Sequence, residues 1–69
     1  MLSQNALERL LTERQVSEIT GMSLATVRRW RLLRQGPPYM KLNWAVRYRP
    51  QDLASWLASR PMGGGEQDR

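Results

Sequence analysis

The stretch LATVRRWRLLR, Leu24 to Arg34, sets Arg28, Arg29, Arg31 and Arg34 into eleven residues with no acid among them. A guanidinium stays charged at any working pH and presents a planar fork of donors that matches phosphate oxygens or the O6 and N7 of guanine. The chemistry on offer is therefore anion recognition. From Arg28 to Arg49 the run grows to seven basic residues, with Lys41, Arg47 and Arg49 added and still no Asp or Glu. A polyanion is the natural partner of such a stretch. The whole chain carries eleven Lys and Arg against six Asp and Glu, a formal charge of +5. Net charge alone speaks only to non-specific association, so the distribution is the stronger signal.

Reactive side chains are scarce by comparison. There is no cysteine and no histidine, which excludes disulfides, thiolate or imidazole metal ligands, Cys or His nucleophiles and a Ser-His-Asp triad. Glu8, Glu13, Glu18 and Asp52 are scattered, and Glu66 and Asp68 fall in the tail. The reading is a non-enzyme with no cofactor and no metal. At 69 residues the chain makes one small domain, near the lower limit for folding unaided. Its apolar runs are too short for a membrane span or a signal peptide, so a cytoplasmic protein is expected.

The elements that must position the arginines follow from local signals. Thr12 and Gln15 form the T-x-x-Q pattern of a capping box, and Val16 and Ile19 supply an apolar pair three apart. Gly21 suits the left-handed end of a helix, so a first helix is predicted from about Thr12 to Thr20. Ser23 is an N-cap for a second helix to about Gln35, stopped by Gly36 and by Pro37-Pro38. Two short helices with a tight glycine-containing connection make a helix-turn-helix candidate.

After the prolines, YMKLNWAVRYR alternates: Met40 and Leu42 against Lys41, then Val46 and Tyr48 against Arg47 and Arg49. A small hairpin turning near Asn43 is predicted. A third helix opens at Pro50, with Asp52 in its first turn and Leu53, Trp56 and Leu57 on one face. The predicted organisation is an N-terminal extension or short helix over 1-10, a domain over 11-60 and a flexible tail over 61-69. The extension's helix would be capped by Ser3 and use Ala6, Leu7, Leu10 and Leu11.

At about 100° per residue, Thr26, Val27, Trp30 and Leu33 project one way on the second helix, as a core stripe. Ala25, Arg28, Arg29 and Leu32 project the other way, and Arg31 and Arg34 fall at the edges. Only Arg28 and Arg29 stand squarely opposite the core, and both are expected to be free. Leu24 and Leu32 beside them have two readings: contact with thymine methyls, or packing, of Leu24 against the first helix or the leading helix and of Leu32 against the hairpin or a neighbouring protomer.

Taken in order, LLTERQVSEITGMSLATVRRW, GPPYMKL and VRYRPQDLASWL resemble the small winged helix-turn-helix proteins of the excisionase and AlpA type, relatives of the MerR DNA-binding domain. The likeness covers about Leu10 to Arg60. It implies a mainly α fold with a small β-hairpin. In such a fold Val16, Met22, Val27 and Trp30 pack around the Gly21 turn, while Tyr48, Leu53, Trp56 and Leu57 anchor the wing and last helix. It also implies a recognition helix in the major groove of double-stranded DNA, with Ser23, Leu24, Ala25, Arg28, Arg29 and Leu32 on its binding side. Lys41, Asn43 and Arg47 would be the wing contacts. On this reading Arg28 is the base contact, Arg29 a base contact or phosphate clamp, and Ser23 a phosphate contact.

The chain departs from the family pattern at two places. The wing tip reads LNWAV rather than carrying glycine and arginine, and Trp44 there has three readings: a partly buried core residue, an apolar wedge against DNA, or a protein contact. Thr20 stands where a large aliphatic residue is usual, which shifts packing onto Ile19 and Met22.

The function implied first is that of an excisionase, or recombination directionality factor. Such a protein binds and bends DNA beside a prophage or other mobile element so that a site-specific integrase excises it, and it self-associates on DNA. The second is an AlpA-like transcriptional regulator of a phage or plasmid promoter. A third reading, of another class, is a protein-interaction module docking through Leu24, Leu32 and Trp44.

Overall fold

The computed structural model describes residues 8–64. Helix α1 (Glu13–Thr20) and helix α2 (Leu24–Leu32) are followed by strands β1 (Met40–Leu42) and β2 (Ala45–Arg47) and by helix α3 (Pro50–Ala58). The expected leading helix falls largely on residues 1–7, outside the described residues, as does the end of the expected tail. What is described of the extension is not helical: Glu8 to Leu10 carry no regular structure. Leu11 pairs antiparallel with Tyr48 through N–H to O bonds of 2.7 and 2.8 Å. Its place on a helical face is thereby corrected. A residue so close to the Thr12 cap gains more from an open backbone edge beside Tyr48 than from starting another helix.

Helix α1 begins as its capping box requires. Gln15 N–H donates to Thr12 Oγ1 at 3.1 Å, and Thr12 N–H donates to Gln15 Oε1 at 2.8 Å. It ends at Gly21, left-handed at φ 75°, whose N–H reaches the Ser17 carbonyl. Thr20 replaces aliphatic packing with hydrogen bonds, its hydroxyl donating to the Val16 carbonyl at 2.7 Å and accepting from Met22 N–H at 3.3 Å. Neither Ile19 nor Met22 takes up packing in its place. They are 55% and 43% exposed, so their expected core roles are corrected.

Helix α2 stops at Leu32, three residues before the predicted end, and the stop is not Gly36. Arg34 enters the left-handed region at φ 56°, and Gln35 N–H reaches back to the Trp30 carbonyl at 2.8 Å while Arg34 N–H meets that of Arg31 at 3.3 Å. This pair of bonds is a Schellman closure with arginine in the position glycine usually holds. Leu33, expected in the core stripe, is left half exposed beyond the last turn.

The hairpin pairs Met40 with Arg47, Lys41 with Val46 and Leu42 with Ala45, leaving Asn43 and Trp44 as a two-residue turn. Asn43 takes φ 62°, a conformation its short polar side chain tolerates. Directly paired residues share a face, so Lys41 stands on the same side as Val46.

The core draws one buried side chain from each part: Val16 from α1, Val27 from α2, Tyr48 just after β2 and Leu53 from α3. Leu11, Trp30, Val46 and Trp56 pack around them. The Trp30 and Trp56 rings lie 5.0 Å apart at 55°, a tilted aromatic pair joining α2 to α3. Leu57, expected beside Leu53, is partly exposed. Helix α3 starts at Pro50 as predicted and is closed by Ser59 and Arg60, whose side chains both donate to the Trp56 carbonyl.

Candidate nucleic-acid interface

The outer side of α2 is an open surface. Ala25, Arg28, Arg29 and Leu32 are exposed, and with Thr26 they line a shallow recess along the helix. Leu24 is half buried. Leu32 is 83% exposed, so it does not pack against the hairpin within this chain. Ser23 is the N-cap, accepting from Thr26 N–H at 3.1 Å, and its own hydroxyl donates to Thr26 Oγ1 at 2.9 Å. Its proton is therefore engaged within the turn.

Arg28 is not free as expected. Its Nε and Nη2 both donate to Glu13 Oε2, at 3.1 and 2.6 Å, although its side chain remains 55% exposed. The bond to Arg28 holds the Glu13 carboxyl below its ordinary pKa despite partial burial, and the same bond raises the Arg28 guanidinium. Arg29 is exposed and makes no ion pair among the described residues. The helical wheel treated the two arginines as equivalent. It contains no information about the acid that α1 brings alongside.

Arg31 is a tie inside the domain. Its side chain is only 20% exposed, with Nη2 3.1 Å from Glu13 Oε1 and Nη1 donating to the Tyr48 hydroxyl at 3.1 Å. The guanidinium carbon also stands 5.8 Å from the centre of the Tyr39 ring. One carboxylate on α1 thus grips two successive turns of α2, and the second of those arginines grips the end of the wing. Nothing in local sequence locates this contact. The only hint was the place of Arg31 at the edge of the core stripe.

The hairpin adds its cations on both sides of Trp44. Lys41 shares a recess with Arg28, Leu32, Tyr39 and Trp44. Arg47 shares another with Arg14, Arg28 and Trp44, while its Nη1 donates to the Val46 carbonyl at 2.8 Å. Arg14, on α1, was not among the expected contacts. Asn43 is exposed at the turn and lines neither recess. Trp44 is 87% exposed, so the partly buried reading of that ring is overturned. A two-residue turn projects its second side chain away from the core, and among the described residues none covers the ring.

Over residues 10–61 the chain matches the family model of the helix-turn-helix domain. The chain belongs to this family. It is the family of small excisionase and AlpA-type DNA-binding proteins, and three helices with a two-stranded antiparallel hairpin give this helix-turn-helix protein its winged form. No curated protein and no solved structure matches it. The family's function is DNA binding, and its members are typically not enzymes. Among the described residues, no helix is long and apolar enough to cross a membrane, and no group of three or more acids forms a metal cage.

Proposed function

We propose that this protein binds specific sites in double-stranded DNA as an excisionase, bending the duplex beside a mobile element so that an integrase assembles for excision. The observation that carries the reading is the run of seven Lys and Arg from Arg28 to Arg49, uninterrupted by an acid along the sequence, which α2 and the hairpin present together with an exposed aromatic ring at the wing tip. In this reading α2 enters the major groove. The helix N-terminus capped by Ser23 holds a phosphate through its backbone N–H groups and Arg29 holds another, Arg28 reads a base edge, and Leu24, Ala25 and Leu32 allow close approach to the bases. Lys41, Asn43 and Arg47 are the wing contacts to the backbone, and Trp44 is an apolar wedge. Such a wedge unstacks a base step and bends DNA, which is the mechanical task of a recombination directionality factor.

Self-association on repeated sites and contact with the integrase belong to the same reading, as does a place on the nucleoid. An AlpA-like regulator would use the same contacts at a promoter, since function lies in the site and partner rather than in the fold. Binding to duplex DNA across a salt series tests the common part, with a steep loss of affinity as salt rises. A site-specific integrase gene beside this one, with excision by its product stimulated by this protein, is the test of the finer part. A protein that binds the duplex without bending it and leaves excision unchanged is the regulator.

A further inference from the structure

Among the described residues, Glu13 is the one acid beside the cations of the proposed DNA surface, and arginines occupy both of its oxygens. Oε2 accepts from Nε and Nη2 of Arg28, and Oε1 lies 3.1 Å from Nη2 of Arg31. The pair is open to water, with the Glu13 side chain 25% and the Arg28 side chain 55% exposed. An exposed ion pair of this kind is weak enough to exchange for another anion. Its carboxylate meets Arg28 as a phosphate oxygen would, with charge-assisted bonds to an arginine edge.

We propose that Glu13 is a specificity-determining residue of the DNA site, an internal substitute for phosphate that withholds Arg28 from duplexes offering only their backbone charge. The inference rests on the DNA reading above. A random duplex must displace the carboxylate and gains in return only another anion. A cognate duplex meets Arg28 already oriented by two bonds to one oxygen, and adds base contacts that the carboxylate cannot supply. Glu13 therefore lowers affinity for random DNA more than for the cognate site. A purely structural tie between α1 and α2 would change melting without changing that ratio.

The test uses the full chain, a labelled random-sequence duplex, and a duplex enriched from a random pool by the wild-type protein, titrated from about 50 to 200 mM salt. Glu13→Gln keeps an acceptor for Arg28 and removes the charge. It is expected to bind the random duplex several-fold more tightly, to steepen the salt dependence by about one released counterion, and to narrow the gap between the two duplexes. Glu18→Gln, an exposed acid on the same helix, controls for net charge and should not steepen it. In an Arg28→Gln/Arg31→Gln background, Glu13→Gln should lose its effect on the slope.

A folded Glu13→Gln protein with the wild-type slope and ratio overturns the proposal. So does an equal effect of Glu18→Gln, or a gain that persists in the double background. If Glu13→Gln does not fold, Glu13→Asp carries the test, because its shorter reach loosens the grip and should give an intermediate slope. A wild-type slope there counts against the proposal. Failure of the wild type and every variant to bind either duplex at low salt removes the DNA reading itself, and the proposal with it.

Discussion

Gly36 lies directly against the indole of Trp30: a Cβ built on Gly36 would stand 2.7 Å from Trp30 Cβ and 2.9 Å from Cγ, with the backbone at φ 84°. The glycine is thus a spacer that lets the chain leave α2 across a tryptophan that also packs, tilted, against Trp56 of α3. Gly36→Ala adds left-handed strain and forces the ring aside, so it should destabilise the domain by roughly 2 to 4 kcal/mol. Chemical denaturation followed by circular dichroism measures it, and an unchanged midpoint would mean that Trp30 yields without loss.

Trp56 closes the other side of the same pair, with the Arg60 guanidinium 4.6 Å from its ring centre. Trp56→Ala should cost about 3 kcal/mol, the low end for an aromatic deletion because the ring is only partly buried. In so small a domain this is enough to abolish a cooperative melt at ordinary temperature. A retained sharp transition would remove Trp56 from the packing account.

The two central arginines should separate in binding assays. Arg29→Ala removes an exposed cation and should reduce the salt slope by about one while weakening selected and random duplexes alike. Arg28→Ala should cost roughly 1 to 3 kcal/mol on the selected duplex and much less on a random one, because Glu13 already opposes its charge. Equal losses for Arg28→Ala on both duplexes would make it a phosphate contact.

Trp44→Ala should leave stability within about 0.5 kcal/mol of the wild type, since the ring is surrounded by solvent. Its effect should fall on DNA geometry. Energy transfer between dyes at the two ends of a bound duplex should report a smaller bend than with the wild type. Equal bending and equal affinity would assign the ring to a protein partner.

The Glu13–Arg28 pair also sets a pH dependence. The carboxyl is held below its unfolded value, about 4.3, chiefly by the bond to Arg28 and against the effect of partial burial. A depressed carboxylate contributes stability that is fully present above the unfolded value and lost as pH falls through the folded one. The melting midpoint should therefore decline below about pH 4 in the wild type, and less steeply in Glu13→Gln. Identical declines in the two proteins would show that other carboxylates govern acid unfolding.

The residues around each helix end already specified where α1 and α3 begin, because capping boxes, left-handed glycines and a first-turn proline act within a few positions of one another. The alternation from Met40 to Tyr48 likewise specified a hairpin with Asn43 in its turn, and the order of these signals specified the family. Other features had no local signature. The end of α2 depended on Arg34 accepting a left-handed backbone, which no propensity favours. The exposure of Ile19, Met22 and Leu57 depended on how few elements a 69-residue chain can wrap around its core. Whether Arg28 was free, and whether Arg31 faced solvent, depended on Glu13, fifteen residues from Arg28 along the chain. Local sequence encodes torsion preferences and periodicity, which hold over a turn or two. The pairing of charges across elements is a property of the packed chain, and only the tertiary structure decided which of these arginines is left to meet another molecule.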